Sequence, residues 1–138
     1  MKLISILPFV LSFLLLSFET ETLQPNNNAP KWVSLFNGKN LDGWKPRIVG
    51  FPLGENFGNT FRVENGMISI RYDQYGDNFN NRFGALYFAK KYSNYRLKVE
   101  YRFVGETAPG APSWGFRDSG VQYHGQDPAR MPLTQPFP

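Results

Sequence analysis

The chain contains no cysteine and a single histidine among its 138 residues. The absence of cysteine excludes disulfide bonds, zinc–thiolate sites, a cysteine nucleophile and the lipid attachment of a lipoprotein. One histidine cannot form a multi-histidine metal site. The sequence also lacks a phosphate-binding loop, a Gly-x-Ser-x-Gly nucleophile elbow and a His-Glu-x-x-His zinc helix. None of these common chemistries is therefore indicated.

Charge of one sign is also scarce, because 15 Lys and Arg against 11 Asp and Glu give a formal charge of only +4. The basic residues form no run, and a scattered excess is typical of a mixed solvated surface, not of a nucleic-acid-binding face. Aromatic residues, by contrast, make up 17% of the chain. They favour strands and supply flat faces that can stack on ligands. We therefore expect a ligand other than nucleic acid.

The amino terminus has the pattern of a secretory leader. Lys2 precedes an apolar run that ends at Phe18, which predicts a signal peptide over residues 1–18. The run is shorter than the roughly 20 residues of a membrane-spanning helix, but no small-x-small cleavage site is obvious near Ser17, so an uncleaved anchor stays an alternative. Residues 19–30 are polar and predict a flexible tether. We expect a periplasmic or secreted mature chain, without a membrane span, and one domain over residues 31–138.

Alternation of apolar and polar residues predicts antiparallel strands in that domain. It is clearest over residues 95–104, where aromatic or aliphatic residues alternate with Arg, Lys or Glu. Residues 61–64 and 68–72 alternate around Asn65-Gly66, a dipeptide that supplies the positive φ angles of a tight hairpin. Further strands are expected at residues 32–36, 84–89 and 119–124. No segment has helical spacing, so the sequence predicts an all-β antiparallel sandwich or jelly roll.

The polar residues best suited to chemistry lie between Trp114 and His124. As a strand, this stretch would place Asp118, Gln122 and His124 on one face, with Val121 and Tyr123 on the other. A carboxylate, an amide and an imidazole in a row suit sugar hydroxyls and proton transfer. A solvated strand face explains the same alternation, and the pattern alone favours that plainer interpretation.

Two further features have both a chemical and a structural interpretation. The oxygen-rich loop at residues 73–81 could hold calcium, but it does not match the spacing of an EF-hand, and a turn-rich connection is favoured. Trp44 and Trp114 could stack on sugar rings, although Trp is more often found in the core or at its rim. Trp114 is the stronger candidate because it lies in a long Gly/Pro loop beside the polar stretch.

Two motifs together resemble the 3-keto-disaccharide hydrolase family. The first is Leu-Phe-Asn-Gly-Lys-Asn-Leu-Asp-Gly-Trp at residues 35–44, and the second is Arg-Asp-Ser-Gly-Val at residues 117–121, followed by His124. The resemblance extends from about Trp32 to the carboxyl terminus. It implies a concanavalin-like jelly-roll sandwich in an exported protein. It also implies a hydrolase or lyase that cleaves the glycosidic bond of 3-keto-glucosides or 3-keto-disaccharides.

The resemblance also implies roles for particular residues. A ketone at carbon 3 acidifies the hydrogen on carbon 2, so a base can remove it while a cation or donor stabilises the enolate oxygen. His124 is the candidate base, Asp118 a second base or metal ligand, and Arg117 the group that polarises the ketone, although strand parity places Arg117 on the other face. The candidate substrate-binding residues are Gln122, Trp114 and Tyr123. Family members can use a divalent metal ion, whose ligands the sequence leaves unknown.

Two other interpretations remain open. A carbohydrate-binding module without catalysis is the first, because the same sandwich serves lectins and glucanases alike. The second is an inactive fragment of the enzyme. Family members continue after a Phe-Pro such as Phe137-Pro138 into another strand with Glu and Gln side chains that face the site, and this sequence has none of it. The predicted strands are also fewer than such a sandwich commonly has, so we expect an incomplete one.

Overall fold

The structure, a computed structural model of the chain, describes residues 31–136. The predicted signal peptide at residues 1–18 and the tether at residues 19–30 lie outside the described residues. All of the regular elements belong to a unit that spans Val33–Pro138. Within the described residues, no helix has both the length and the apolar character required to cross a membrane.

The regular elements of residues 31–136 are four short strands and three single-turn 3-10 helices. The strands are β1 (Trp44–Ile48), β2 (Phe61–Glu64), β3 (Met67–Ile70) and β4 (Gly84–Phe88), and the 3-10 helices are Phe57–Asn59, Ser113–Gly115 and Pro128–Arg130. β1 pairs with β4 and β2 with β3, and both pairs are antiparallel. Small antiparallel sheets with few helical turns are consistent with the predicted all-β class.

The β2–β3 hairpin confirms the turn prediction at Asn65-Gly66. Asn65 has a φ of 52° and Gly66 a φ of 73°, the left-handed values that a two-residue hairpin loop requires. Phe61 lies opposite Ile70 and Glu64 opposite Met67, so β3 begins and ends slightly earlier than predicted. The strand predicted at residues 84–89 is likewise present as β4.

β1 was not predicted from the alternation pattern. Pro46 lies at its centre and has no N–H to donate to a ladder, which weakens the strand signal. In the described sheet β1 has one neighbour only, β4. A proline is tolerated in such an edge strand, so the tertiary pairing overrides the local signal.

The strands predicted at residues 32–36, 95–104 and 119–124 are not formed, and these predictions are wrong for this structure. The pattern at residues 95–104 expresses a β preference, but a strand also needs a neighbour to accept and donate its backbone hydrogen bonds. No described strand lies beside this segment. Its five alternating apolar side chains, from Tyr95 to Phe103, are therefore between 41% and 68% exposed.

The core is small and largely aromatic. Among the described residues, the buried apolar side chains come from β1, β2, the loop at residues 73–81 and the segment after residue 127; they are Ile48, Phe61, Tyr75, Phe79 and Met131. Because two of the five belong to that loop, the loop packs as part of the domain.

Arg82 holds the loop at residues 73–81 in place. Its guanidinium donates to the carbonyl oxygens of Tyr75 and Phe79, at 2.9 Å each, and to that of Asn78. The same group lies over the rings of Phe57 and Tyr75, at 4.8 and 4.5 Å from their centroids. An arginine thus takes up the carbonyl oxygens that a bound cation would need, which supports the turn-rich interpretation of this loop over the calcium one.

Candidate functional site

The Trp44 side chain closes the loop formed by residues 35–44. Its Nε1–H donates to the Leu35 carbonyl oxygen at 3.0 Å, and its ring packs edge-on against Phe88 at 5.0 Å. Gly43 has a φ of 82°, and a Cβ there would lie 3.3 Å from the Phe88 ring. These contacts agree with a packing role for Trp44. Of the two tryptophans considered for sugar stacking, Trp114 therefore remains the candidate.

The single histidine lines a solvent-open surface cavity of about 310 Å³, together with Tyr123, Ser93, Tyr95 and Leu97, and all five side chains are exposed. That volume lies at the lower end of the range for small-molecule sites, and a single sugar ring is a ligand of suitable size. The walls combine an imidazole, two phenols and a hydroxyl with one aliphatic side chain. These groups can accept a proton, donate hydrogen bonds and cover an apolar ring face.

The backbone at His124 explains why the predicted alternation fails there. His124 has a φ of 59°, a left-handed value that is uncommon outside glycine, although histidine adopts it more often than most residues. The rings of Tyr123 and His124 lie 5.6 Å apart at 70°, and both line the same cavity. The prediction that they point to opposite faces is therefore wrong, because the segment turns at His124 and is not a strand.

The other polar candidates lie outside this cavity. Arg117 has a φ of 56°, and its guanidinium lies 4.8 Å above the Phe116 ring. The Asp118 backbone N–H donates to the Gly115 carbonyl oxygen at 3.3 Å. Neither residue lines the cavity, and Gln122 does not either. The structure thus brings Tyr123 and His124 together and leaves these three apart from them.

Trp114 offers a separate aromatic surface. It lies in the 3-10 helix Ser113–Gly115 and stacks on Phe83, with ring centroids 5.3 Å apart and planes inclined by 17°. Phe83 packs edge-on against the buried Phe79 at 5.0 Å, which anchors the stack to the core. Because Trp114 remains 58% exposed, its indole can stack on a sugar ring.

Sequence reasoning missed three of the five cavity residues. Tyr95 and Leu97 are two positions apart on the apolar face of the predicted strand, so their shared orientation was visible in the alternation. That they lie beside His124 was not, since no local pattern relates residues separated by more than 25 positions. Ser93 carries no signal of its own in the sequence.

The described residues do not fit a divalent metal ion. No three His, Asp or Glu side chains come together anywhere between residues 31 and 136. The cavity of His124 has no carboxylate among its lining side chains, whereas hard cations prefer several oxygen ligands. We therefore derive no chemical step through a metal here.

Comparison with known protein families identifies the domain. A family model described as 3-keto-alpha-glucoside-1,2-lyase-like domain matches residues 31–137. The chain belongs to this family. The match confirms the resemblance carried by residues 35–44 and 117–121, and it includes every residue of the His124 cavity. No curated protein and no solved structure matches the chain.

Proposed function

We propose that this member of the 3-keto-glucoside lyase-like family cleaves the glycosidic bond of 3-keto-glucosides or 3-keto-disaccharides, with His124 as the base. The observation that carries the proposal is the position of the chain's one histidine in a cavity of about 310 Å³ with two phenols. The family match over residues 31–137 supports the substrate class.

The chemistry follows from the ketone. The imidazole of His124 removes the proton from carbon 2, and the electrons of that C–H bond form an enolate with the oxygen on carbon 3. The enolate then collapses, a double bond forms between carbons 1 and 2, and the bond from carbon 1 to the glycosidic oxygen breaks. The leaving oxygen takes up a proton and departs as an alcohol. Addition of water across the double bond completes a net hydrolysis.

The phenols of Tyr95 and Tyr123 are two of the donors available to the enolate oxygen. Both line the cavity of His124, and a phenolic O–H can donate a hydrogen bond to an oxygen that gains negative charge. Leu97 supplies an apolar wall for the C–H groups of the ring. The catalytic roles of Asp118 and Arg117 and the substrate-binding role of Gln122 remain predictions. The proposed reaction assigns no function to these three residues.

The proposal includes the wider setting of the domain. We place its strands within a concanavalin-like jelly-roll sandwich, supported by the small antiparallel sheets and the family match. We also place the mature protein in the periplasm or outside the cell, on the basis of the charged and apolar residues 2–18. Cell fractionation with amino-terminal sequencing of the mature protein tests the second point.

The decisive experiment measures release of the unoxidised sugar, which is glucose from 3-keto-trehalose and fructose from 3-keto-sucrose. We expect His124→Ala to lower turnover by about a hundredfold or more, the usual size of a general-base contribution, with little change in substrate binding. Arg96→Ala, an exposed change outside the cavity, serves as the control and retains normal turnover. Normal turnover in His124→Ala would show that the imidazole is an ordinary surface group.

A carbohydrate-binding module without catalysis is the second candidate function, and the exposed stack of Trp114 on Phe83 favours it. A binder needs the indole and tolerates the loss of His124. Sugar binding that is abolished by Trp114→Ala and unchanged in His124→Ala, with no release of the unoxidised sugar by the wild type, would establish the binding module in place of the enzyme.

A further inference from the structure

A second and larger cavity, shallow and wide open to solvent, lies between the loop at residues 35–44 and β2. Its volume is about 480 Å³, and its lining shares no residue with the cavity of His124. Its apolar part consists of Leu41, Phe61 and Val63. Phe61 is only 3% exposed and belongs to the core, so the apolar surface that a ligand can reach comes from the half-buried Leu41 and Val63. An apolar surface of this kind suits the C–H face of a sugar ring.

The polar edge of this cavity is held in place by Asn37. Its Oδ1 accepts from the backbone N–H groups of Lys39 and Asn40, at 2.8 and 3.0 Å. Its Nδ2 donates to Asn40 Oδ1 at 2.6 Å, and the same oxygen accepts from the Asp42 N–H at 3.2 Å. Since the oxygen of the Asn40 amide is already engaged, its NH₂ group is the part available to a ligand. A loop fixed in this way loses little freedom on binding.

Two of the charged side chains in the lining already have partners. Arg62 forms an ion pair with Asp73, and Glu64 accepts from Arg71 at 2.7 Å. The hydrogen bonds from the two arginines lower the pKa of the Glu64 and Asp73 carboxyls, so both pairs remain charged at neutral pH. These interactions leave little net charge on that side of the cavity.

Lys39 is the charged residue of this lining for which the described residues provide no ion-pair partner. Its side chain is exposed on the cavity edge. Asn59, also on that edge, presents an amide from a backbone with a φ of 48°. The edge therefore combines one free cation with amide groups, a set that suits a carboxylate beside hydroxyl groups.

We propose that this cavity is a second carbohydrate site that takes a sugar ring bearing a carboxylate, with the ring on Leu41 and Val63 and the carboxylate on Lys39. The site is independent of the proposed reaction, because none of its residues lines the cavity of His124. It lets the domain hold an acidic glycan while a separate site acts on a 3-keto sugar.

The test is titration of the ¹⁵N-labelled protein with glucuronate, glucose and acetate, followed by NMR. We expect glucuronate to shift the amide signals of residues 39–41 and 61–64 and to bind several-fold more tightly than glucose or acetate, the size of preference that an exposed lysine–carboxylate pair supplies. Lys39→Met should remove the preference for glucuronate over glucose, while Lys45→Met, an exposed change of the same kind in β1, should keep it.

Three results would overturn the proposal. They are no shift with glucuronate, acetate binding as tightly as glucuronate, or an unchanged preference in a folded Lys39→Met protein. Circular dichroism of each variant establishes that it is folded. His124→Ala separates the two sites, since it should lower glucose release from 3-keto-trehalose by about a hundredfold or more and leave glucuronate binding intact. The glucuronate titration can therefore be interpreted even if the catalytic proposal fails.

Discussion

The Arg47 guanidinium donates to the Pro132 carbonyl oxygen at 2.6 Å, across a separation of 85 residues. It also donates to the Ile48 carbonyl oxygen at 2.6 Å. Arg47 is only 4% exposed, and a buried charge is tolerated where hydrogen bonds replace its hydration. Beside it, the Gly50 N–H donates to the Leu133 carbonyl oxygen at 2.8 Å. Together these bonds fasten the segment after His124 to β1.

Replacing Arg47 should therefore loosen the domain. Arg47→Met keeps much of the aliphatic volume but removes both guanidinium hydrogen bonds. The Ile48 and Pro132 carbonyl oxygens each keep one backbone donor, the N–H groups of Phe51 at 3.1 Å and Gln135 at 3.0 Å, so each lost bond costs about 0.5–1.5 kcal/mol. We expect a clear fall in the urea midpoint. Arg130→Met, at an exposed position in the 3-10 helix Pro128–Arg130, is the control and should stay within about 0.5 kcal/mol of the wild type. Equal midpoints for the two variants would contradict the anchoring role of Arg47.

The hairpin turn allows a test in which packing plays almost no part. At Gly66, with a φ of 73°, a new Cβ would meet no atom closer than the Gly38 carbonyl oxygen at 3.9 Å. Gly66→Ala should thus cost the backbone strain of a left-handed residue, about 1–2 kcal/mol. Gly120→Ala is the matched control, because its φ is not left-handed and its Cβ would meet no atom within 4 Å. Chemical denaturation of both variants decides the matter, and identical stabilities would argue against the turn geometry.

The same turn shows how far local sequence determines the fold. Asn65-Gly66 and the alternation beside it predict β2 and β3 because a two-residue hairpin needs no distant partner. β1 was not predicted because Pro46, at its centre, weakens the strand pattern. Its pairing with β4 is a tertiary contact that no local pattern shows. For residues 95–104 the alternation was real, but the described residues provide no neighbouring strand. A pattern encodes preference, and pairing decides whether a strand forms.

The candidate site, too, was predicted only in part from the sequence. His124 and Tyr123 were found through the polar stretch and the family motif. Their arrangement was not, because it depends on the left-handed backbone at His124 and on the tertiary placement of Ser93, Tyr95 and Leu97 in the lining of the same cavity. Neither property has a signature in one sequence. The roles assigned to Asp118 and Arg117 came from the resemblance alone, and the described geometry supplies no contact between them and His124.

The hairpin should also lose stability in acid. The hydrogen bond from Arg71 lowers the pKa of Glu64, and that from Arg62 lowers the pKa of Asp73. A carboxyl whose pKa is depressed by folding stabilises the protein above its ordinary pKa, near 4, and this contribution is lost as the pH falls through the depressed value. We expect the stability gap between the wild type and the double variant Glu64→Gln/Asp73→Asn to shrink from pH 5 towards pH 2. A constant gap across urea titrations at these pH values would rule out this linkage.

The exposed apolar face of residues 95–103 should promote self-association. Its alternating side chains, from Tyr95 to Phe103, are at least 41% exposed, and an unpaired segment of this kind is a template for strands of other copies. Val99→Lys places a charge in the middle of that face, next to the Lys98–Glu100 ion pair, whose atoms lie 2.7 Å apart. We therefore expect light scattering and thioflavin fluorescence to fall well below those of the wild type.

The control for that prediction must distinguish the effect of placing a lysine on the alternating face from the effect of adding a positive charge anywhere on the protein. Thr107→Lys adds the same charge at an exposed position outside the alternating face, so it raises the net charge of the protein equally. If the face drives association, Val99→Lys suppresses it and Thr107→Lys leaves it nearly unchanged. Equal suppression by both variants would attribute the effect to general charge repulsion, and the alternating side chains would then have no special part in it.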